Sequence, residues 1–182
     1  MDFGTRTQDS SMRRPRKTLL RKMAQLKALV LDVDGVLTDG RVYYGQDGIA
    51  LKAFDVRDGL GLVRLRESGL RIALLSSDRA ALVERRAEKL GIADVQQGVQ
   101  DKREGLRAFV RQHQMDFSEV GYMGDDLNDL PAFDAAGVTF APADSAVEVL
   151  RMADCVTERP GGRGAVREVA DLLLSVRRTI RG

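Results

Sequence analysis

The sequence predicts an α/β fold in which a Rossmann-like, doubly wound and mostly parallel sheet carries a β-hairpin flap after its first strand. Residues 28–31 form an apolar run that stops abruptly at acids and glycines, which is typical of a strand covered on both faces. From residue 58 onward, helical and strand patterns alternate, and this alternation implies parallel strands joined by right-handed crossovers. Two β-rich runs around a Gly/Asp turn within residues 41–54 indicate the hairpin.

The length and composition of the chain favour one soluble domain. The chain has 182 residues, of which 43% are hydrophobic and 31% are charged, as is usual for a globular protein with a single core. No apolar run approaches the roughly 20 residues that a membrane span needs. The single cysteine has no partner within the chain, and the amino terminus lacks the apolar segment of a secretory signal. We therefore expect a cytoplasmic protein.

Positive charge is concentrated before the first strand. Residues 1–16 are polar and basic, so we interpret them as a disordered basic tail and residues 17–182 as a single domain. A basic run of this kind could hold nucleic acid or an anionic membrane surface. Because aromatic side chains are not interleaved with the basic ones, we favour a solvated tail and expect no nucleic-acid or membrane partner.

Each helix and strand follows from apolar periodicity and from the residues that end the segment. Gly69 and Gly91 end two helical patterns, as glycine often does. In the last helix, Val166, Val169 and Leu173 fall on one face. The expected helices span residues 17–25, 58–69, 79–90, 102–113, a short stretch after 128, and about 165–178. The expected strands outside the hairpin span residues 28–31, 71–75, a short stretch near 95, 120–123, 138–140 and 154–156.

Polar side chains follow several of the expected strands, at the point where each strand ends. Because the carboxyl ends of parallel strands meet at one edge of a sheet, we expect these side chains to lie close together. Asp32 and Asp34 are two residues apart on an extended segment, so both can face one ligand. The other members of the group are Ser76 and Ser77, Lys102, and the acids of the run GDDLND at residues 124–129.

This set of side chains suits a Mg²⁺-dependent phosphoryl transfer. Several carboxylate oxygens favour Mg²⁺, and a cation is needed because a carboxylate nucleophile and a phosphate are both anionic. One aspartate can attack phosphorus. The second can protonate the leaving oxygen and later take a proton from water. Lys102 and a serine hydroxyl would hold the phosphoryl oxygens.

Four segments resemble the motifs of the haloacid dehalogenase superfamily of phosphatases. They are DVDGVLT at residues 32–38, Ser76, Lys102 and GDDLND at residues 124–129, in this order. The resemblance covers nearly everything after Lys27 and implies a haloacid dehalogenase-like fold. It also implies that Asp32 is the nucleophile and Asp34 the general acid and base. Ser76 and Lys102 would hold the phosphoryl group.

The same resemblance implies a Mg²⁺ site. Asp125 would bind the ion beside Asp32 and the main-chain carbonyl of Asp34, and Asp129 would support the metal site. Asp126 could instead serve only to cap the following helix, so we place it outside the metal shell.

Three further segments narrow the resemblance to the capless subgroup typified by 3-deoxy-D-manno-octulosonate 8-phosphate phosphatase. They are DGVLTDG at residues 34–40, KAFDVRDG at 52–59 and GGRGAVRE at 161–168. Members of this subgroup are typically homotetramers whose hairpins pack together. The resemblance implies a phosphorylated sugar acid as substrate and a role in lipopolysaccharide biosynthesis.

The candidate substrate-binding residues have two interpretations each. Arg57, Asp58 and Gly59 belong to the second of these segments and could be structural or could touch substrate. Arg163 lies in a glycine-rich stretch that could be a simple turn or an anion clasp before the last helix. Arg79 is a candidate because it could turn toward a sugar-acid carboxylate.

One position departs from the subgroup. Where the octulosonate phosphatases usually continue as Thr-Gly-Arg, this chain has SSDR at residues 76–79. Asp78 stands where an arginine is thought to meet the sugar-acid carboxylate, and an acid there would repel that carboxylate. The subgroup also includes phosphatases for nine-carbon keto-acid phosphates, which are alternative substrates. A different kind of function is a non-catalytic, tetramerising or regulatory domain that partners a sugar-acid cytidylyltransferase, although the intact set of acids argues against it.

Overall fold

The computed structural model describes residues 16–46 and 48–181, so Arg16 is the one described residue of the predicted basic tail. Within these residues the helices are α1 (Lys17–Gln25), α2 (Val56–Glu67), α3 (Ala81–Leu90), α4 (Lys102–Gln112), α5 (Leu130–Phe133), α6 (Val147–Met152) and α7 (Ala165–Arg181). The strands are β1 (Ala28–Leu31), β2 (Tyr43–Gly45), β3 (Gly48–Leu51), β4 (Arg71–Leu75), β5 (Asp94–Gln96), β6 (Val120–Met123), β7 (Val138–Ala141) and β8 (Cys155–Val156). Two short 3-10 turns cover Phe117–Glu119 and Leu127–Asp129.

Six of the described strands form one parallel sheet in the order β5-β4-β1-β6-β7-β8. The chain leaves β1 to build β4 and β5 on one side and later returns to place β6 on the other. The strand order therefore reverses at β1, and ligands of open α/β sheets bind beyond the carboxyl ends of the strands at such a switch point. This topology confirms the predicted doubly wound α/β class.

β1 is buried on both faces of the sheet, as its apolar run predicted. Leu29 and Leu31 pack into a core that also holds side chains of α1, α2, α3 and α7. Ala28 and Val30 pack into a second core with side chains of α4 and α5. Alternate residues of a strand face opposite sides, so this short strand holds both layers of helices together.

Two helix starts differ from the predicted ones, for local reasons. α2 begins at Val56, two residues earlier, because the Asp55 carboxylate accepts the main-chain N–H of Arg57 at 2.6 Å and caps the helix. α3 begins at Ala81, two residues later than predicted. The backbone of Ala80 is extended, and its N–H donates to Gln97 Oε1 at 2.8 Å. α7 continues to Arg181, past the predicted end.

The predicted hairpin is confirmed as a separate antiparallel sheet of β2 and β3. Its strands are mostly exposed, and Tyr44 is 75% exposed. Directly after β3, Lys52 turns inward and is buried. The hairpin is thus a solvent-exposed flap whose carboxyl end is fastened to the main domain.

Among the helices that the structure describes, none combines the length and the apolar character needed to cross a bilayer.

Candidate active site

Asp32 continues the central strand into the site. Its main-chain N–H donates to Met123 O at 2.9 Å, which extends the pairing of β1 with β6 by one residue. The carboxylate is buried, and Lys102 Nζ donates to its Oδ1 at 2.7 Å. The nucleophile expected from the sequence is therefore held in one orientation by the lysine expected to accompany it.

Lys102 is fully buried at the first turn of α4. Its ammonium donates to Asp32 Oδ1, to Leu75 O at 2.8 Å and to Asp129 Oδ1 at 3.3 Å. The Asp101 carboxylate caps the helix by accepting the N–H groups of Arg103 and Glu104 at 3.0 and 3.1 Å, and this cap fixes where Lys102 enters the sheet edge. Three acceptors match the three donors of an ammonium, so the buried charge is fully hydrogen-bonded.

Asp129 organises the loop that follows β6. Its Oδ2 accepts the main-chain N–H groups of Asp125 and Asp126 at 2.9 and 3.3 Å. Its Oδ1 accepts the hydroxyl of Tyr122 at 2.6 Å in addition to Lys102. Burial, with the nearby charge of Asp129, raises the pKa of Tyr122 well above its usual value, so the phenol stays protonated as a donor. No pattern in the sequence indicated this role of Tyr122.

Three carboxylates meet at the edge of the sheet. Asp32, Asp125 and Asp129 each present an oxygen, and these oxygens lie within 4.8 Å of one another. Burial and then the charge of Asp129 raise the pKa of Asp32 to about 7, despite Lys102. Burial and then the charges of Asp32 and Asp129 raise the pKa of Asp125 to about 8.

These acids fit a divalent cation. Hard carboxylate oxygens are the ligands that Mg²⁺ prefers. The raised pKa values of Asp32 and Asp125 indicate that the single ammonium of Lys102 does not offset the negative charge of the three carboxylates. A divalent cation among these acids would stabilise their ionised forms. The donor set therefore suits the ion that the sequence implied.

Gly35 makes room for Asp125. Its φ is +82°, and a Cβ built on it would lie 1.9 Å from Asp125 Oδ2. A side chain there would both strain the backbone and occupy the carboxylate's place. A glycine is therefore needed at position 35 because the loop that carries Asp125 packs directly against it.

A cleft of about 260 Å³ opens in front of Asp32. Ser76 is buried at its base, where its hydroxyl accepts the N–H of Asp78 at 3.2 Å. Asn128 Nδ2 reaches across to Ser77 Oγ at 3.3 Å. The cleft is lined by Asp32, Asp34, Gly40, Ser76, Ser77, Asp78, Asp125, Asp126 and Asn128. The strand-end side chains of β1, β4 and β6 are therefore brought together as the topology predicted.

Lys52 completes the site and was not among the predicted site residues. Its ammonium donates to Asp34 Oδ1 at 2.7 Å and Oδ2 at 2.6 Å, and it lies 3.7 Å from Asp78 Oδ2. The side chain is fully buried. The segment directly after the hairpin therefore contributes a cation to the acid edge of the cleft, which Asp34 and Asp78 form.

The predicted substrate residues of α2 lie outside the cleft lining. Arg57 is held by Asp55, with Nη2 2.6 Å from Oδ2. Asp58 is buried and accepts the N–H groups of Gly164 and Arg167 at 3.1 and 2.8 Å, so it caps α7. A Cβ on Gly59 would lie 2.4 Å from the Arg86 side chain. These contacts support the structural interpretation of Arg57, Asp58 and Gly59.

Two further predicted arginines are also absent from the cleft lining. The Arg79 guanidinium packs over Gly98, where a Cβ would come within 2.4 Å of its Nε. Arg79 lines a neighbouring hollow with Glu84 and Gln97 instead. Arg163 is exposed and lies 3.7 Å from Asp39 at the cleft's outer loop. Arg79 therefore does not offset the charge of Asp78 in this arrangement.

The glycine-rich stretch before α7 packs against the loop after β1. A Cβ on Gly161 would lie 1.7 Å from Gly35 O, and Gly162 N donates to Val36 O at 2.9 Å. The two glycines allow main chain to approach main chain. The segment therefore supports the backbone that carries Asp34, which accounts for its glycines without an anion.

Replacing Asp58 with Ala is expected to lower the free energy of unfolding by about 2 kcal/mol, because two N–H groups at the start of α7 lose their acceptor. Urea denaturation would measure the change. Asp58→Asn keeps one acceptor oxygen and should lose less. Equal stability of Asp58→Ala and the unaltered chain would contradict the cap assignment.

A larger hollow, of about 720 Å³, lies at the opposite end of the sheet. Its charged residues already have partners: Arg71 pairs with Asp94 at 3.0 Å, and Arg66 donates to Gly91 O at 2.8 Å. Main-chain and apolar groups form much of the rest of its wall. The smaller cleft contains the acids and the lysine suited to chemistry, so we assign the site there.

Comparisons with known proteins identify the family of this chain. The model of the haloacid dehalogenase-like hydrolase family matches residues 50–137. The 3-deoxy-D-manno-octulosonate 8-phosphate phosphatase of Yersinia pestis is 41% identical over 164 residues, which cover 90% of this chain and 88% of that protein. Its counterpart in Escherichia coli K12 is 42% identical over 156 residues, which cover 86% of this chain and 83% of that protein.

Solved structures show the same fold. The crystal structure of the Yersinia pestis phosphatase aligns with a TM-score of 0.86 at 40% identity, covering 91% of this chain and 90% of that one. The Moraxella catarrhalis phosphatase, in complex with magnesium ion, phosphate ion and a KDO molecule, aligns with a TM-score of 0.86 at 36% identity, covering 90% and 94%. The chain therefore belongs to the haloacid dehalogenase-like hydrolases, in the group of the 3-deoxy-D-manno-octulosonate 8-phosphate phosphatases.

Proposed function

We propose that this protein is a Mg²⁺-dependent phosphatase that hydrolyses 3-deoxy-D-manno-octulosonate 8-phosphate or a related keto-acid phosphate through an aspartyl-phosphate on Asp32. The observation that carries the proposal is the buried contact of Lys102 Nζ with Asp32 Oδ1, at 2.7 Å, beside two further carboxylates. The similar proteins named above support the substrate class and a place in lipopolysaccharide biosynthesis. The non-catalytic alternative is not favoured, because the acids and the lysine of a working site are assembled.

We propose that Asp32, Asp125 and the main-chain carbonyl of Asp34 hold the metal, with Asp129 supporting it. When bound, Mg²⁺ would screen the repulsion between the carboxylate and the phosphate. Asp129 already accepts Tyr122, Lys102 and two main-chain N–H groups. Its support is therefore mainly the placement of the loop that carries Asp125.

The reaction would proceed in two displacements. An Asp32 oxygen forms a bond to phosphorus while the bond from phosphorus to the sugar oxygen breaks, and Asp34 gives its proton to that oxygen. A water oxygen then bonds to phosphorus, its proton passes to Asp34, and the bond between Asp32 and phosphorus breaks. Lys102, adjacent to Asp32, and the Ser76 hydroxyl at the base of the cleft would hold the phosphoryl oxygens.

A homotetramer that acts in the cytoplasm is part of the same proposal. The exposed aromatic side chains of the hairpin support assembly, since Tyr43 and Tyr44 are 50% and 75% exposed, and a lone two-stranded ribbon is marginally stable in water. The free Cys155 fits a reducing compartment. Light scattering on the purified protein would measure the oligomeric state.

The proposed activity is tested by phosphate release from a panel of esters. The panel contains octulosonate 8-phosphate, nine-carbon keto-acid 9-phosphates and hexose phosphates, each assayed with Mg²⁺ and again after chelation. We expect Mg²⁺-dependent release that is fastest with a keto-acid phosphate. Equally poor rates on all esters would contradict the sugar-acid assignment. Phosphate release that persists after chelation would contradict the requirement for Mg²⁺.

Replacing Asp78 with Arg is expected to raise the rate on the keto-acid phosphates by about tenfold relative to the hexose phosphates. The reason is that a cation would replace an exposed acid beside the cleft, where it could pair with the sugar-acid carboxylate. The ratio of kcat/KM values over the same panel measures the effect, and Asp78→Asn separates loss of the acid from gain of the cation. An unchanged ratio in both variants would show that position 78 does not select the sugar.

A further inference from the structure

Lys52 connects the hairpin to the acid edge of the site. It follows β3 directly, and its side chain is fully buried although the strand before it is mostly exposed. A buried ammonium is costly unless acceptors surround it. The contacts described above place it between Asp34 and Asp78. The position of this charge is therefore determined by the two carboxylates.

Asp34 depends on Lys52 for its orientation. Both of its oxygens accept from the ammonium, at 2.7 and 2.6 Å. The further contact from Thr38 Oγ1 to Asp34 Oδ1 is long, at 3.4 Å. Because one ammonium contacts both oxygens, Lys52 fixes the direction in which the Asp34 carboxylate faces the cleft.

Asp78 is the outer neighbour of Lys52. Its Oδ2 lies 3.7 Å from Nζ, and the carboxylate is about half exposed. At that distance and exposure the attraction is weaker than the paired contact with Asp34. Asp78 therefore steadies Lys52 from the cleft side, while Asp34 receives its hydrogen bonds.

We propose that Lys52 is a positioning residue that orients Asp34 toward the hydrolytic water, whose proton Asp34 takes. This inference rests on the proposed function above. It concerns the second displacement, in which water bonds to phosphorus, its proton moves to Asp34, and the bond between Asp32 and phosphorus breaks. Through Lys52 the hairpin becomes a structural part of that step, and not merely a cover for the cleft.

The test compares Lys52→Met with the unaltered protein, using octulosonate 8-phosphate and Mg²⁺. We expect kcat to fall about 100-fold, as misplacement of a reacting group does, with KM unchanged or lower. Acid-quenched samples taken in the steady state should contain a larger fraction of phosphorylated enzyme. The leaving oxygen is held in place by the rest of the bound substrate, whereas the free water depends on Asp34 for its orientation, so breakdown slows more than formation. A role in folding alone would not shift the balance between phosphorylated and free enzyme.

Controls separate the possible failures. Lys89→Met removes an exposed lysine of α3 and should behave as the unaltered protein. If Lys52→Met does not fold, Lys52→Arg keeps the charge with a different reach and should show the same accumulation at a smaller loss of kcat.

Two results would overturn the role of Lys52. One is a raised KM with unchanged kcat, which would mean that it binds substrate directly. The other is a lower kcat without accumulation. If the unaltered protein itself neither releases phosphate nor becomes phosphorylated, the proposed function fails first, and that outcome is visible without any variant.

Discussion

Replacement of Asp32 by Asn is expected to lower turnover by at least about 10⁴-fold, as removal of a covalent nucleophile does. An amide oxygen is too weak a nucleophile to attack phosphorus. Asn keeps an oxygen that can accept from Lys102, so the hydrogen bond at 2.7 Å has a substitute and the fold should persist. Phosphate release with Mg²⁺ measures the loss.

The matched control is Asp171→Asn, which changes an exposed acid on α7 that pairs with Arg64 and Arg167. It should retain normal activity, because surface ion pairs contribute little to stability. If Asp32→Asn hydrolyses phosphate esters at the rate of this control, the nucleophile has been assigned to the wrong residue.

Replacement of Lys102 by Met is expected to cost both activity and stability. The ammonium is fully buried and is shared by Asp32, Asp129 and the carbonyl of Leu75. Without it two buried carboxylates lose their cation, and breaking a buried pair in this way costs about 3–5 kcal/mol. Urea denaturation without Mg²⁺ measures the free energy of unfolding, and phosphate release measures the activity.

The control for Lys102 is Lys22→Met, which removes an exposed lysine of α1. Its free energy of unfolding should stay within about 0.5 kcal/mol of that of the unaltered chain. A Lys102→Met protein as stable as this control would mean that the buried ammonium does not hold the acid cluster together.

Three polar side chains of the site were predictable from sequence because each follows a strand. Asp32, Ser76 and Asp125 come after β1, β4 and β6, which are neighbours in the sheet. Parallel strands bring their carboxyl ends to one edge, so order along the chain was enough to place these side chains together. The continuous apolar run separately predicted that β1 is covered on both faces.

Contacts that depend on how loops fold back were not predictable. Lys52 reaches Asp34 because the chain turns inward directly after β3, and no periodicity in the sequence indicates that turn. Asp58 caps a helix whose first N–H partner lies 106 residues further on. Both contacts arise from tertiary packing.

The predicted substrate arginines illustrate a different limit. Arg57 lies within a segment that resembles the subgroup, and Arg79 lies close to Ser76; both are candidates because of their residue type. In the structure, Asp55 forms an ion pair with Arg57. The guanidinium of Arg79 packs over Gly98, where the absence of a side chain leaves space for it. An arginine's long side chain has many reachable partners, so proximity in sequence does not determine where its guanidinium lies.

The location of the phosphoryl group on the protein during turnover tests the proposed mechanism most directly. Enzyme mixed with octulosonate 8-phosphate and Mg²⁺ would be quenched in acid, digested and analysed by mass spectrometry. We expect the phosphoryl group on Asp32, and its disappearance as substrate is exhausted. Steady release of phosphate with an unmodified Asp32, or with the phosphoryl group on another residue, would contradict the central claim.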